Sequence, residues 1–593
     1  MPIVTPHRTG DTTPVSESRP LVRIRIMYGV LLVICAIFVV RLFYLQIIRY
    51  DYYNKAALRG QLKEYEITAT RGIIRAHDGN QTTPIVLNEM LYTLFADPKF
   101  IKNPERIAED LQPIVGGEKS ALAAKLQSPN TRYVVLAKRL SKDQKEKIAK
   151  LDYLGVGTRD EAHRTYPEGQ LSSQLLGFVN DDGKGQYGIE EYLDARLKGT
   201  PGILKAITDA RGVPLVTNKD NIVTDSMPGT EVTLTIDIGM QRRLEDILKG
   251  GLEYAKSGSG GALIMDPNSG AIKAMANYPS YDPSKIADVK DLSILGNPLV
   301  SSPLEVGSIM KALTASAALD AGAVTANSSF EGTGFVMVGD RKVTDILGGS
   351  GTQTVESTLK YSLNTGAVWM LKQMGGGEIN GKARNVWHGY MTKNFLLGSP
   401  TGIEQVGENG GTVPEPEDNG RGIAVTYANT AFGQGLTATP LQMAAAFSSV
   451  VNGGVYYQPH LVEQYVDSNG NTMPVKPNVR NPNTVSQATS DDMRSILERI
   501  TRANNPGALR SGYSVGGKTG SAQIAAPGGG YYEDRYNGTY VGYIGGDKPQ
   551  YVIIVRVNDP KIAGFAGAAA TAPIFKDLSN MLVDNFGITP KSK

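Results

Sequence analysis

The chain has very little cysteine and almost no net charge, and each shortage excludes a class of function. Cys35 is the only cysteine in 593 residues, so neither an intrachain disulfide nor a cysteine-based metal cluster can form. The 61 lysines and arginines are nearly matched by 58 aspartates and glutamates, so bulk charge does not indicate nucleic acid as a partner. The histidines lack the spacing of a metal site or of a catalytic triad. We interpret them as structural: His7, His77, His163, His388 and His460.

Long apolar runs are also scarce, and the one strong example lies at residues 26–47. Its 22 residues would span roughly 33 Å as a helix, which is enough to cross a bilayer once. Arg41 lies toward one end, where its long side chain can reach the membrane interface. A cleaved signal peptide is the alternative, but the segment is longer than a typical signal core and no small-residue cleavage motif follows it.

Charges before this segment predict its orientation. By the positive-inside rule, residues 1–25 form a cytoplasmic tail, and everything after about residue 48 lies on the outer side of the cell (inner) membrane. The tail is rich in Thr, Pro, Ser and charged residues, so we expect it to be disordered. The sequence therefore predicts a single-pass membrane protein. The arginines that support this orientation are Arg8, Arg19, Arg23 and Arg25.

The residues that follow are too many for one ordinary core, so we predict two domains. Residues 48–228 alternate short strand-like runs with helical stretches, which indicates an α+β domain. Turn residues are concentrated at 224–230, and a new strand pattern begins directly afterwards. Residues 229–593 are consistent with one large α/β domain.

Turn signals and alternating apolar residues predict several elements of this second domain. Strand-like runs at 261–266 and 271–276 flank a Pro-Asn-Ser-Gly turn and should form a hairpin. Further strands are predicted at 515–523, 539–544 and 551–557, and a closing helix at 573–586.

Ser308 and Lys311 form a Ser-x-x-Lys pair that opens an apolar, Ala-rich stretch typical of a helix, at 312–321. Residues at i and i+3 share one face of a helix, so the lysine can reach the serine hydroxyl. A serine becomes a good nucleophile when a neighbouring base accepts its proton, and a lysine with a lowered pKa can do so. The helix N-terminus also favours negative charge that develops at the serine.

Alone, this motif has little weight, because Ser357 and Lys360 match it too. A helix cap at Ser308 and a solvated charge at Lys311 would explain the first pair equally well. The order of its partners gives it weight, because a Ser-Leu-Asn motif at 362–364 and a Lys-Thr-Gly motif at 518–520 follow Ser308. This order is the signature of serine β-lactamases and penicillin-binding proteins. Ser357 lies too close to the second motif to be the nucleophile.

Beyond these motifs, the chain after residue 48 resembles a class B penicillin-binding protein, a monofunctional D,D-transpeptidase. The short motif Ala-Asp-Pro-Lys at 96–99 resembles the division-associated branch, the FtsI type. Other similar motifs are Arg-Gly-Ile-Ile at 71–74, Arg-Thr-Tyr-Pro-Glu-Gly at 164–169, Gly-Ile-Glu at 188–190, Thr-Gly-Ile-Glu at 401–404, Gly-Gln-Gly at 433–435 and Lys-Thr-Gly-Ser-Ala-Gln at 518–523.

The chain departs from the family pattern at four positions. Ala76 and His77 stand where Asp and Arg are usual, Val306 stands where Pro is usual, and Ser521 stands where Thr is commoner. The last two keep a similar size or a hydroxyl, so we expect them to leave catalysis intact. Gly-Gln-Gly at 433–435 could suggest a phosphate loop, but no Lys-Ser/Thr follows. We expect it to shape a loop beside the active site.

The resemblance implies the fold and the boundaries of the domains. An elongated α+β pedestal of the dimerisation type would occupy 48–228. The transpeptidase domain at 229–593 would be an antiparallel sheet flanked by helices, the fold of penicillin-binding proteins and serine β-lactamases.

It also implies the role of each site residue. Ser308 would attack the penultimate D-Ala of a stem pentapeptide, Lys311 would accept its proton, and Ser362 would relay a proton to the departing D-Ala. The remaining roles concern binding. Asn364 would bind the peptide, Lys518 and Thr519 its terminal carboxylate, Gly520 would let the substrate approach the strand, and the N–H groups of Ser308 and Ser521 would form an oxyanion hole.

By the same resemblance, the partners would be peptidoglycan stem peptides, β-lactams, other division proteins and a membrane glycan polymerase of the FtsW (SEDS) type that contacts residues 26–47. Neither a metal nor a nucleotide cofactor is implied. Three alternatives remain: a β-lactamase, a D,D-carboxypeptidase that transfers the acyl group to water, and a catalytically silent scaffold. They differ in whether Ser308 becomes acylated and in what releases the acyl group.

Overall fold

The computed structural model describes residues 19–50, 52–53, 62–129, 131–207, 222–417 and 422–592. Two compact units are distinguished, one formed by residues 1–68 with 201–226 and the other by residues 69–200 with 227–593. Arg8, His7 and most of the predicted tail at 1–25 lie outside the described residues.

Strands are numbered in chain order. The N-terminal strands are β1 (Leu62–Ile67), β2 (Ile74–Asp78), β3 (Gln81–Ala96), β4 (Val134–Leu140), β5 (Val156–Thr165), β6 (Phe178–Val179), β7 (Gly185–Gln186), β8 (Gly202–Ile207) and β9 (Ile222–Thr224). The later strands are β10 (Glu231–Asp237), β11 (Ser259–Met265), β12 (Ile272–Tyr278), β13 (Ser329–Thr333), β14 (Phe335–Val338), β15 (Arg341–Thr344), β16 (Ser350–Thr354), β17 (Tyr456–Tyr457), β18 (Val462–Val466), β19 (Thr472–Pro474), β20 (Val479–Asn481), β21 (Ser514–Ala525), β22 (Tyr531–Gly545) and β23 (Pro549–Asn558).

Helices are numbered in the same way. Those of the N-terminal half are α1 (Arg19–Phe43), α2 (Pro104–Val115), α3 (Lys119–Leu126), α4 (Lys142–Ala149), α5 (Ser173–Leu176), α6 (Gly188–Tyr192), α7 (Asp194–Leu197), α8 (Ile238–Tyr254) and α9 (Pro298–Ser301). Those that follow are α10 (Met310–Asp320), α11 (Val355–Lys360), α12 (Asn364–Met374), α13 (Gly381–Gly389), α14 (Ile423–Thr430), α15 (Pro440–Val451), α16 (Gln487–Asn504) and α17 (Ala572–Asn585).

The first unit contains an apolar helix and a small sheet. Helix α1 begins at Arg19, before the predicted span at 26, and continues into a π-helical turn, Tyr44–Ile48. By length and composition, Val22–Ile48 could cross a membrane. The predicted anchor therefore coincides with a helix that suits this role. Strands β1, β8 and β9 form an antiparallel sheet with β8 in the centre.

A larger sheet in the second unit joins strands from both sides of the predicted boundary at 228/229. Its order is β19-β18-β10-β2-β3-β4, and β5 also pairs with β3. Val232 of β10 lies beside Ile74 of β2 in a parallel pair. His77, one of the departures from the family pattern, lies on β2. Its Nε2 is 2.6 Å from Oε2 of Glu463 on β18, and these two strands flank β10. The imidazole thus gains a carboxylate partner across the sheet.

Three of the N-terminal motifs quoted above meet at one buried carboxylate. Oε2 of Glu190 accepts a hydrogen bond from Nε of Arg71 at 2.7 Å, and Oε1 accepts one from Nε of Arg164 at 2.6 Å. Arg71 also donates to Asp194 at 2.8 Å. The exposed fractions are 0% for Glu190, 9% for Arg71 and 2% for Arg164. This network ties the segment before β2 to β5 and α6.

The catalytic sheet predicted from the sequence is antiparallel, in the order β12-β11-β23-β22-β21. Strands β11 and β12 form the predicted hairpin, and β21, β22 and β23 lie at the three predicted positions. Apolar residues of α8 and α17 pack on one face of the sheet, and those of α10, α15 and α16 pack on the other. The predicted fold class is confirmed, and α17 is the predicted closing helix.

Candidate active site

Ser308 lies in a tight turn that leads into helix α10. The turn is 3-10 helical, Gly307–Ile309. Gly307 has a φ of +64°, and a Cβ there would lie 2.7 Å from the carbonyl oxygen of Ser521. Glycine is therefore needed both for the backbone conformation and for close packing against β21. The N–H of Gly307 donates to the carbonyl of Gly433 at 3.0 Å, so the turn is held from two sides.

Lys311 is fully buried in the first turn of α10, and its amine contacts the candidate nucleophile. Nζ lies 2.9 Å from Oγ of Ser308, so the contact expected from the Ser-x-x-Lys spacing is present. Nζ also lies 2.6 Å from the carbonyl oxygen of Ser362 and 2.8 Å from Oδ1 of Asn364. The first and second sequence motifs therefore converge on one amine.

Burial lowers the pKa of Lys311 well below its usual range, the positive charge of Lys518 lowers it further, and Asp345 acts in the opposite direction. Burial also lowers the pKa of Lys518, to about 7. A neutral lysine amine can accept a proton, whereas an ammonium group cannot. Lys311 is therefore prepared to act as a base at neutral pH.

Ser362 connects the two lysines. Its Oγ lies 3.2 Å from Nζ of Lys311 and 3.0 Å from Nζ of Lys518. Ser362 adopts a φ of +56°, a conformation that is unfavourable for residues with a side chain and that often occurs at functional sites. A continuous chain of polar atoms therefore runs from Ser308 through Lys311 and Ser362 to Lys518.

Asn364 is the first residue of α12, and its Nδ2 donates to the carbonyl of Thr344 at 3.0 Å. The next residue, Thr365, is held by Asp345. Oδ1 of Asp345 accepts from the N–H of Thr365 at 2.9 Å, and Oδ2 accepts from its hydroxyl at 2.6 Å. Asp345 stands in no recognisable motif, so the sequence alone could not identify it.

Strand β21 presents alternate residues to the site. Thr519 and Ser521 line the cavity in front of Ser308, whereas Gly520 faces the interior. A Cβ on Gly520 would lie 2.3 Å from Oγ1 of Thr539 and 2.9 Å from the carbonyl oxygen of Val306. The space that this glycine leaves open therefore accommodates the segment before Ser308. From the sequence, Gly520 is expected to allow the close approach of a substrate. That reason alone is not sufficient, because the glycine is also needed for packing inside the protein.

The cavity in front of Ser308 has a volume of about 480 Å³. Gln434 lines it, so the Gly-Gln-Gly loop lies beside the site as predicted, and none of the described histidines does. Glu305, another residue outside the motifs, accepts hydrogen bonds from the N–H of Gly435 at 2.8 Å and from the hydroxyl of Tyr531 at 2.7 Å. Other lining residues include Ser362, Asn364, Thr519, Ser521, Ile346, Leu347, Phe432 and Phe565.

The second Ser-x-x-Lys match has a structural explanation. The hydroxyl of Ser357 accepts from the N–H of Thr354 at 2.7 Å, and the N–H of Ser357 donates to Oγ1 of Thr354 at 3.1 Å. This reciprocal pair caps the N-terminus of α11. Ser357 is therefore a capping residue.

Comparisons with known proteins agree with this geometry. Residues 260–580 match the penicillin-binding protein transpeptidase domain, and residues 66–234 match the penicillin-binding protein dimerisation domain. The chain is 29% identical to stage V sporulation protein D of Bacillus subtilis, over 97% of this chain and 88% of that protein. It is 26% identical to the peptidoglycan D,D-transpeptidase FtsI of Escherichia coli K12, over 96% of this chain and 92% of that protein.

Solved structures show the same fold. Penicillin-binding protein 2X of Streptococcus thermophilus superimposes with a TM-score of 0.72 at 22% identity, covering 88% of this chain and 80% of that one. Penicillin-binding protein 3 of Mycobacterium tuberculosis, in complex with aztreonam, gives a TM-score of 0.66 at 24% identity, covering 89% of this chain and 98% of that one. The chain therefore belongs to the class B penicillin-binding proteins, which carry a dimerisation domain before the transpeptidase domain.

Proposed function

We propose that the chain is a peptidoglycan D,D-transpeptidase that forms an acyl-enzyme on Ser308. The observation that carries this proposal is the 2.9 Å contact between the buried amine of Lys311 and the hydroxyl of Ser308. As Oγ attacks the carbonyl carbon of the penultimate D-Ala, Lys311 accepts the hydroxyl proton. The amide bond to the terminal D-Ala then breaks, and its nitrogen takes up a proton.

The other site residues bind the substrate and move this proton. Ser362, whose hydroxyl lies between two lysine amines, relays the proton to the leaving D-Ala. Lys518 and Thr519 bind the terminal carboxylate of the donor peptide, and Asn364 binds its backbone. Gly520 keeps the strand close to the Ser308 turn.

The developing oxyanion is stabilised by two backbone donors, the N–H groups of Ser308 and Ser521. Support comes from the packing of the Gly307 turn against Ser521, which brings the two backbone segments together. In the second half-reaction, the amine of a neighbouring stem peptide attacks the acyl carbonyl and Ser308 regains its proton. One amide replaces another, so the exchange requires neither an oxidant nor a cofactor.

We further propose that the protein is a single-pass membrane protein with a cytoplasmic N-terminus and an extracytoplasmic catalytic domain. Residues 1–25 would be the tail, 26–47 the membrane segment, 48–228 the pedestal and 229–593 the transpeptidase domain. The apolar helix Val22–Ile48 and relatives named FtsI support this arrangement and a role in septal wall synthesis. Its partners would be other division proteins and a glycan polymerase of the FtsW (SEDS) type, which contacts the membrane segment.

The test is covalent labelling of the full-length protein, in detergent, with a fluorescent penicillin. β-Lactams mimic the acyl-D-Ala-D-Ala end of the donor, so we expect a stable adduct whose peptide maps to Ser308. Ser308→Ala should abolish the label. Ser357→Ala is a matched control, because it removes the serine of the second Ser-x-x-Lys match and should leave labelling unchanged.

Each alternative gives a different result. Rapid loss of the label as hydrolysed penicillin would indicate a β-lactamase. Release of D-Ala from a pentapeptide without cross-linked product, in the presence of an acceptor amine, would indicate a D,D-carboxypeptidase. A folded protein that takes no label would support the silent scaffold and refute the proposal.

A further inference from the structure

A second cavity lies at one end of the catalytic sheet and shares no lining residue with the cavity in front of Ser308. Its volume is about 170 Å³. The start of β11, the end of β12, the end of β23 and the segment that leads into α9 form its walls. The polar residues that line it are Gln174, Ser259, Asn277, Ser293, Arg556 and Asn558.

Arg556 brings a positive charge to this cavity without a carboxylate partner among the described residues. Its Nε donates to Oδ1 of Asn558 at 2.6 Å, and one terminal nitrogen donates to the carbonyl of Ser302 at 2.9 Å. Both acceptors are neutral, and burial lowers the pKa of Arg556 to about 10. The nearby carboxylate of Asp559 is engaged elsewhere, by Arg535 at 2.8 Å and Lys561 at 2.7 Å.

The amide groups around the cavity also donate to other protein atoms. Nδ2 of Asn558 donates to Oγ of Ser259 at 2.9 Å, and Nδ2 of Asn277 donates to Oδ1 of Asn297 at 2.9 Å. Arg556 uses only part of its donor set in the two bonds above, because a guanidinium group carries about five N–H donors. Arg556 is therefore the one charged donor among the residues that line this cavity.

Gly261 lies opposite this cation in the sheet and lines the same cavity. It is the register partner of Arg556 across β11 and β23. A Cβ at Gly261 would lie 2.7 Å from Oδ1 of Asn277 and 2.9 Å from a methyl carbon of Leu299. Glycine inside a strand often marks a close approach of other groups, and here it lets Asn277 of the cavity wall pack directly against β11.

We propose that this cavity is a binding site for a small oxyanion, a carboxylate or a phosphate group, held by the guanidinium group of Arg556. A planar guanidinium group binds either group through two parallel hydrogen bonds. A partly buried cation without a counter-charge is unfavourable, and a bound anion removes that cost. The volume equals that of about five or six waters at ~30 Å³ each, which suits a small ion and excludes a stem peptide.

The test uses thermal unfolding of the full-length protein in detergent, titrated with inorganic phosphate or with acetate against chloride at equal ionic strength. We expect saturable stabilisation by at least one of the two anions, and the comparison identifies the preferred group. Arg556→Gln should weaken the apparent Kd about tenfold or more, the loss expected for charge-assisted hydrogen bonds. Arg556→Lys should retain part of the affinity because it keeps the charge.

Arg510→Gln is the matched control, because Arg510 already pairs with Asp584 at 2.8 Å; it should bind like the wild type. Equal stabilisation of wild type and Arg556→Gln, or none of the wild type with either anion, would refute the site and leave Arg556 with a purely structural role. If Arg556→Gln does not fold, wild-type crystals soaked in selenate decide the question. An anomalous peak beside Arg556 supports the site, and its absence overturns it.

Discussion

Two buried lysines share the hydroxyl of Ser362, and the pKa of both is lowered. Burial disfavours the ammonium form of both, and each positive charge disfavours the other. The pKa of Lys518 is lowered to about 7 and that of Lys311 is lowered well below its usual range. The charge of Lys518 therefore favours the neutral form of Lys311, which suits proton acceptance, while the ammonium form of Lys518 suits carboxylate binding.

The different roles of Lys311 and Lys518 predict a bell-shaped pH dependence of the second-order rate constant for acylation by benzylpenicillin. The rate should rise with pH as Lys311 loses its proton, and fall as Lys518 loses the charge that holds the β-lactam carboxylate. The alkaline limb should have an apparent pKa near 7. Lys518→Arg keeps a permanent charge, so its acylation should be slower at the optimum but should not decline over that pH range.

Stopped-flow or quenched labelling across pH measures both limbs. The assignment is wrong if Lys518→Arg retains the wild-type alkaline limb, because another group would then be titrating. Circular dichroism at each pH separates a kinetic limb from unfolding.

At the scale of elements, the N-terminus of α12 supports the buried amine of Lys311. Asn364 at this terminus accepts from Nζ of Lys311, and Asp345 accepts two hydrogen bonds from Thr365. A carboxylate at a helix N-terminus is favourable because of the backbone dipole. Asp345 therefore positions Asn364 and, through its charge, raises the pKa of Lys311.

Removing this charge should change both rate and pH dependence. We expect Asp345→Asn to lower the acylation rate constant about tenfold or more, since hydrogen bonds to charged groups contribute roughly 1.5–3 kcal/mol. Loss of a negative charge lowers the pKa of Lys311 further, so the acid limb should move to lower pH. Thr365→Val removes one hydrogen bond but keeps the charge of Asp345, and its acid limb should stay in place. An unmoved acid limb in Asp345→Asn would contradict the role of this carboxylate.

Elements with local signals could be predicted from the sequence, and those that depend on distant partners could not. The hairpin β11–β12 was predictable because alternating apolar residues flank a turn of Pro, Asn, Ser and Gly. The parallel pair of β2 and β10 leaves no local pattern, because its partners are far apart in the chain. Asp345 was missed for the same reason, since its function depends on the neighbour that folding brings to it.

At the scale of the whole chain, the family motifs of the N-terminal part have a common physical basis. Arg71, Arg164 and Glu190 come from separate segments and form one buried ion network. The site motifs could be assigned from their order alone, but the sequence could not show that these pedestal motifs share one carboxylate. Two arginines that are 9% and 2% exposed require such a counter-charge, because an unpaired buried charge is strongly unfavourable.

Glu190→Gln should therefore destabilise the protein much more than the loss of an exposed ion pair. The substitution keeps the shape of the side chain but leaves two buried arginines without their shared anion, at a cost of about 3–5 kcal/mol. We expect the Tm to fall by at least about 5 °C, while the folded fraction still labels at Ser308. Glu109→Gln is the matched control, because Glu109 and Lys119 are 68% and 42% exposed and such pairs contribute little. Similar Tm values for the two variants would show that the buried network does not stabilise the pedestal. Loss of labelling in folded Glu190→Gln would instead show that this network influences the catalytic site.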